Sequence, residues 1–449
     1  MKKMSLFTLA VVLLLLAVSC RELLSEKSDL KLATPATVED NQALIDQFGF
    51  MNVDFASVGE TSSDDFYMTD ADYDGLYYEQ DKRLYTWMPD HVTRPSSAGN
   101  AWSRCYRAIY ISNSVLHNLE TYHLTGAKAD QVKGQALALR AARYLDASQI
   151  WCPAYRQSSA SGELGLPLRL DPDMNTPSVR STVQQTYDQI LSDLHAALPL
   201  LPDQQLSKTR MSKTAVHGLL ARTYLFMGNY DKALFHSKQA LLLQPGLMDF
   251  NTVNPNAEYP IANLNKEITF WSGMSYEYHL IPAKIPQNIY SSYAVNDLRR
   301  TVYFTSDASN QILFKGYYNN ENGPSTGVAV DEIYLMAAEC YARLNQVSEA
   351  MSHLNQLLVT RWKTGTYIPF TAANKEEALA IVLAERRKEL LIRGLRWADL
   401  KRYNRDGANI TLTRTVNGKQ FVLPPNDQRY AIALPEEIVE IAGIPQNPR

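Results

Sequence analysis

The sequence predicts an all-α protein: a helical-repeat scaffold of about four helix pairs carrying long loop-rich insertions and small β elements. Three observations lead there. Small and aromatic residues recur at matched spacing in "AVHGLLARTYLFMGNYDKALFHSKQALLLQP" (215–245) and "DEIYLMAAECYARLNQVSEAMSHLNQLLVTR" (331–361). Between them the chain turns rich in Pro, Asn and aromatics, a texture with no helical period. The charged run "ERRKELLIRGLRWADLKRYN" (385–404) still carries an apolar stripe through Leu390, Leu391, Trp397 and Ala398.

Taken from the N-terminus, Lys2 and Lys3 precede an apolar run from Leu6 to Val18, and Ala17-Val18-Ser19-Cys20 closes it. That order is a signal peptide, residues 1–19, because the apolar run is shorter than the ~20 residues of a membrane span. Cysteine directly after small residues predicts acylation of Cys20, although Ala17 stands where such boxes usually have leucine. Ordinary secretion with an incidental Cys20 is the plainer alternative. Residues 20–40 then form a lipidated tether, and 41–449 a single domain whose first helix is expected near Asn41 to Val58.

Residues 52–101 are irregular and aromatic, and the helical repeats occupy about 134–243 and 330–403. Ala221, Tyr224, Gly228, Tyr230, Ala233, Ala240 and Pro245 have the spacing of a tetratricopeptide repeat, and Ala338, Tyr341, Ala350 and Leu357 repeat part of it. Small residues let two antiparallel helices approach, aromatics fill the gap, and proline ends the second helix. A first unit starts at Gly134 to Trp151 and resumes at Thr182 to Leu201. Glu376 to Tyr403 makes the fourth, with Gly394 at a close approach and Glu389 and Arg393 spaced for an i,i+4 pair. The second insertion, about 244–329, contains short strand-like runs such as "EITFW" and "QILFKGYY".

Composition removes several function classes. With 44 basic against 47 acidic residues, a formal charge of −3, nothing marks a nucleic-acid surface. Four cysteines, Cys20, Cys105, Cys152 and Cys340, do not make a disulfide scaffold; Cys105–Cys152 pairing stands beside buried free thiols as a reading. There is no GxSxG elbow, no HExxH and no Gly-rich phosphate loop, so the chain is not expected to be an enzyme. No cofactor is required. In "DADYDGLYYEQD", Asp70, Asp72, Asp74 and Asp81 stand at the positions of a twelve-residue calcium loop, with Asp81 where a bidentate Glu is usual; a structural Ca²⁺ competes there with a plain acidic surface loop.

The order of "AWSRCYRAIYISNSVLHNLE", "GQALALRAARYLDASQIW", "RMSKTAVHGLLARTYLFMGNYDKAL", "DEIYLMAAECYARL", the 385–404 run and "LPEEIVEIAGIPQNPR" resembles the SusD/RagB outer-membrane lipoproteins of Bacteroidetes. The most specific match is "ERR-x-EL…G-x-RW-x-DL-x-R" at Glu385, Arg386, Arg387, Glu389, Leu390, Gly394, Arg396, Trp397, Asp399, Leu400 and Arg402, with Arg393 where the family usually has an acid. The resemblance implies an outer-membrane protein facing the cell exterior, held only by its lipid anchor. It implies capture of oligosaccharide, or of peptide in the RagB-like branch, for a SusC-like TonB-dependent barrel transporter. Sugar capture needs aromatic faces and planar polar groups. Trp87, Arg94, Trp271, Tyr276, Tyr278 and Tyr290 are therefore the expected ligand residues, with His91, His279, Tyr293 and Arg299 close to them in sequence. Trp102, Tyr106, Asn113, Tyr224, Tyr341 and Trp397 are assigned to packing.

Overall fold

Thr37 opens the first helix through a reciprocal capping box with Asp40. The computed structural model describes residues 34–90, 93, 99–275, 283–319, 321 and 323–449. The signal peptide, Cys20, His91, Arg94, Tyr276, Tyr278 and His279 lie outside the described residues. The expected helix over 41–58 is instead three pieces, α1 (Val38–Ile45), α2 (Phe48–Met51) and α3 (Val58–Ser62). The buried Arg143 guanidinium takes the carbonyls of Phe50, Met51 and Asp54, so these oxygens are satisfied across the chain rather than along a helix. Two short helices follow, α4 (Asp70–Asp74) and α5 (Glu79–Tyr85).

The scaffold begins with two long helices, α6 (Ala101–Thr121) and α7 (Ala127–Trp151), which pack against each other. A two-stranded antiparallel pair, β1 (Leu164–Pro167) and β2 (Arg180–Thr182), bridges to α8 (Val183–Ala197), which returns against α7. The repeat readings then appear as antiparallel pairs: α9 (Lys213–Met227) with α10 (Tyr230–Leu243), and, beyond α11 (Gln287–Ser291) and α12 (Arg299–Val302), α13 (Val330–Arg343) with α14 (Val347–Leu358). Gly228 ends α9 in the left-handed region, and Asn345 does the same between α13 and α14. Ala221, Ala233, Ala240, Ala338 and Ala350 are fully buried where the helices meet. Between α8, α9 and α10, His195, His217 and His236 gather around Tyr224, and burial holds all three imidazoles below their usual pKa.

The last scaffold helices are α15 (Lys375–Glu389) and α16 (Arg396–Arg405). Because α15 stops at Glu389, the expected Glu389–Arg393 pair does not form. Glu389 binds Arg299 and Arg361, and Arg393 binds Asp331. Gly394 sits in the intervening turn at φ +71, its N–H donating 3.0 Å to Glu60 Oε2. An added Cβ would stand 3.0 Å from Met274 Sδ, so the close approach there is between a turn and the insertion. A hairpin of β5 (Leu412–Val416) and β6 (Lys419–Leu423) follows, turned by Asn417-Gly418 with both φ positive. The short α17 (Glu436–Ala442) ends the fold.

The second insertion contains α11, α12 and the antiparallel hairpin β3 (Phe304–Ser306) with β4 (Ile312–Phe314). It has its own apolar cluster around Trp271, Tyr293, Tyr303 and Phe304, beside the larger scaffold core. Charged groups of the 385–404 run join the two. Arg299 is fully buried and paired to Asp297, Glu385 and Glu389; Arg361 is equally buried and paired to Glu267 and Glu389. The Tyr318 hydroxyl lies within hydrogen-bond distance of both Glu267 and Asp331, at 2.8 and 3.0 Å. On the scaffold side Asp399 holds Arg386 and Arg402, and Glu339 holds Arg402 and Arg343. Cys105, Cys152 and Cys340 are free, buried thiols. None of the described helices is long and apolar enough to cross a membrane.

Glu60 gives this junction a pH dependence. Burial first, then the neighbouring Asp65 carboxylate, push its pKa up to about 8, so it is neutral at pH 7. A folded-state pKa above the unfolded value stabilises fully below the unfolded pKa, near 4.5, and loses that contribution as pH rises through 8. Glu60→Gln is therefore expected to melt close to the wild type at pH 5 and above it at pH 9. Thermal melts of both proteins at the two pH values check this; an equal difference at both would contradict it.

Candidate functional site

Two of the expected ligand aromatics are core residues. Trp87 is buried, donates from Nε1 to Ser62 O at 2.9 Å, and lies under the Arg414 guanidinium. Trp271 is 5% exposed and stacks on Phe48 at 5.0 Å between ring centres. Both rings are consumed by packing because each anchors an irregular segment that has no helix to bury it. Tyr293 is fully buried and donates to Lys388 O, and Arg299 is locked in the ion network, so neither faces a ligand. Tyr290 is half-buried, edge-on to Phe304, with the Arg300 guanidinium 4.8 Å from its ring centre. Trp102, Trp397, Tyr224 and Tyr341 are buried, and Tyr106 and Asn113 tie α6 to the carbonyls of Pro167 and Arg169.

The acidic run does not close on a common centre. Asp70, Asp72 and Asp74 lie on the helix α4, where Asp72 takes part in a capping box with Thr69 and pairs with Lys284. Although its partial burial opposes this, those partners hold the Asp72 carboxyl below its usual pKa. Asp70 and Asp74 accept from Asn417 at the β5–β6 turn, each at 2.8 Å, while Asp81 is buried in α5. A calcium loop needs an open chain curling its oxygens inward; here the chain is helical and its carboxylates clamp a hairpin. Among the described residues no three His, Cys, Asp or Glu side chains are gathered to hold a metal ion.

What the insertion builds instead is an aromatic cleft of about 220 Å³. Tyr259, Phe314 and Tyr317 line it, with Ile285, Leu313 and Ile392 behind and Glu258, Thr305 and Lys315 at its polar edge. Strand β4 delivers Phe314, and the chain then presses onto Tyr303 at Gly316, where a Cβ would come within 2.5 Å of that ring. This approach directs Tyr317 to the cleft while Tyr318, one residue on, points to Glu267 and Asp331. Tyr317 meets Phe314 edge-on at 5.0 Å and Tyr259 at 6.3 Å. Lys315 Nζ donates to the carbonyls of Pro255 and Ala257, which fixes the 254–259 loop that carries Tyr259. Partial burial lowers its pKa.

Such a cleft is smaller than the roughly 300–1,000 Å³ that encloses a drug-sized ligand. It offers aromatic rings, one carboxylate and one ammonium, and no nucleophile held by a base. Sequence reasoning noted "QILFKGYY" as strand-like without separating Tyr317, which is buried but borders the cleft, from Tyr318, which turns to Glu267 and Asp331; the period of two was the signal available. Tyr259, in a loop, gave none.

Comparisons with known proteins agree with this architecture. Residues 22–225 match a family model described as starch-binding associating with outer membrane, residues 331–436 one described as the SusD family, and residues 214–246 a tetratricopeptide repeat. A SusD-like protein of Formosa agariphila is 23% identical, covering 77% of this chain and 79% of that one. Among solved structures, a SusD superfamily protein from Bacteroides thetaiotaomicron superposes with TM-score 0.74 at 19% identity, covering 92% of this chain and 100% of that chain. A protein from Bacteroides vulgatus described as a putative sugar binding protein gives 0.73 at 20% identity, over 93% of this chain and 99% of that chain.

Proposed function

From the premise that the chain belongs to the SusD family, we propose that it captures oligosaccharide at the outer-membrane surface and delivers it to a SusC-like, TonB-dependent transporter. The reading is of a binding protein and asks for no bond-making step. The observation that carries it is the cleft of Tyr259, Phe314 and Tyr317. Flat rings take the apolar faces of a sugar ring, while Glu258, Thr305 and Lys315 at the edge suit its hydroxyls. Family models described as outer-membrane starch-binding and SusD, and a relative described as sugar-binding, support the choice of sugar. Anchoring through acylated Cys20, with the chain facing outward, completes the reading and is tested by the mass of the mature N-terminus.

The ligand test is calorimetric titration of the chain lacking residues 1–20 with a panel of oligosaccharides and mixed peptides. A saturable oligosaccharide response is expected. In Tyr259→Ala it should weaken by about 1 kcal/mol, or roughly fivefold or more, with the melt followed in parallel because Tyr259 also packs on the insertion's apolar cluster. Peptide binding with silent oligosaccharides would move the protein to peptide capture.

A further inference from the structure

The sides of the aromatic cleft are anchored unequally. Strand β4 is paired with β3 at Phe304–Phe314, Thr305–Leu313 and Ser306–Ile312, and the Lys315 N–H adds a bond to Tyr303 O at 2.7 Å. The floor at Ala283 and Ile285 is tied along both edges: the Ile285 N–H donates to Ile312 O at 2.8 Å, and Lys284 and Tyr67 exchange backbone bonds of 2.9 and 2.8 Å. The remaining side, residues 254–259 with Glu258 and Tyr259, joins neither ladder. It turns on itself, the Asn256 N–H donating to Asn254 Oδ1 and the Ala257 N–H to Asn254 O. Among the described residues, Lys315 alone reaches 254–258 by hydrogen bond from elsewhere in the chain, with Nζ 2.5 Å from Pro255 O and 3.4 Å from Ala257 O.

Apolar packing does not replace that tie. Phe250 and Ile261 are buried to either side of the stretch, and the half-buried Tyr259 ring rests against the insertion's apolar cluster. Such burial is non-directional, so it keeps the ring near the cleft without setting how far it stands from Tyr317. The two carbonyl bonds do set it, because the ammonium that makes them springs from the opposite wall, between Phe314 and Tyr317. A wall left free has to be ordered by each ligand, and that ordering is subtracted from affinity. We propose that Lys315 is the positioning residue of this cleft: it latches the 254–259 wall to the end of strand β4, and most of its contribution to oligosaccharide binding passes through Tyr259. The inference rests on the reading of the cleft as the saccharide site and adds the side chain that sets its width. An ammonium has three donors; two go to the wall, and the third, the minor share, is left for a ligand hydroxyl.

The test is a double-mutant cycle read by calorimetric titration with maltoheptaose, cellohexaose and xylohexaose, on wild type, Lys315→Met, Lys315→Arg, Tyr259→Ala and the variant carrying both Lys315→Met and Tyr259→Ala. With the oligosaccharide that binds best, Lys315→Met is expected to weaken binding about as much as Tyr259→Ala, roughly fivefold. In the Tyr259→Ala background the same change should cost less than about twofold, whereas independent effects would repeat the full loss. Lys315→Arg, whose fork reaches two carbonyls, should bind like the wild type. A readout without ligand accompanies the cycle: hydrogen exchange at the 256–259 amides should quicken roughly tenfold in Lys315→Met, with the β3 and β4 amides unchanged. If Lys315→Met does not fold, Lys315→Gln, too short to reach both carbonyls, takes its place. No loss in Lys315→Met, an equal loss in both backgrounds, a loss in Lys315→Arg as large as in Lys315→Met, or unchanged exchange at 256–259 each overturns the proposal. Silence of the wild type with all three oligosaccharides counts instead against oligosaccharide capture, while the exchange still decides the latch.

Discussion

Arg361→Ala is expected to cost about 3–5 kcal/mol of folding free energy, the range for removing one partner of a buried ion pair. Arg361 is fully buried and holds Glu267 at 2.8 Å and Glu389 at 2.7 Å, while its third arm donates to Met248 O. Its guanidinium also lies 4.3 Å from the Phe250 ring centre. Glu389 keeps Arg299 in the variant, but Glu267 loses its one ion pair among the described residues and keeps Tyr318 and the Met248 N–H. Burial first raises Glu267 to about 7 even with Arg361 present. Without the arginine it goes higher, so the variant takes its full damage above neutrality and less at pH 5, where the carboxyl is protonated in either protein. Denaturant midpoints at pH 5 and pH 8 measure both effects. A loss below about 1 kcal/mol at pH 8 would mean that surface-like screening reaches this pair.

Gly327→Ala is the second change expected to be severe. Residues 325–329 run back along 268–273, with Thr326 N–H donating to Ser272 O at 2.9 Å and Thr269 N–H to Val328 O at 3.1 Å. A Cβ at 327 would lie 2.0 Å from Phe270 O and 2.8 Å from Ser272 N. Both are backbone atoms, so no rotamer change relieves the overlap and the two segments must part. About 3 kcal/mol or more is expected, at the upper end for overpacking, together with weaker anchoring of the insertion to the scaffold. Gly49→Ala is the control, since nothing lies within 4 Å of its Cβ position. Comparable melting of the two variants would contradict the account of the junction.

The repeats were legible because what defines them is local. Ala221, Tyr224, Gly228, Ala233 and Ala240 stand within one helical hairpin, and the same geometry recurs in α13 and α14. The 385–404 run was legible as helix and as ion-paired, but not in its partners. Arg299 lies 86 and 90 positions from Glu385 and Glu389, and Glu267 lies 94 from Arg361. No spacing rule reaches across such separations. The apparent i,i+4 pair of Glu389 and Arg393 failed because the helix ends between them.

Trp87 and Trp271 show why loop aromatics mislead. A large ring in an irregular segment serves a ligand or serves as that segment's own core, and composition is the same in both cases. In this chain the tryptophans became the core, and smaller rings on the hairpin and the 254–259 loop line the cleft. The Asn417-Gly418 turn was a readable signal of the β5–β6 hairpin, and with it of the fixed partners that Asp70 and Asp74 find there.

The measurement that tests the central claim most directly is a crystal structure of the chain with the oligosaccharide that binds it best in titration. The account predicts a sugar ring stacked within contact of Tyr259 and Tyr317, with hydroxyls reaching Glu258 or Lys315. A saccharide seated away from this cleft, with Tyr259 and Tyr317 untouched, would contradict it.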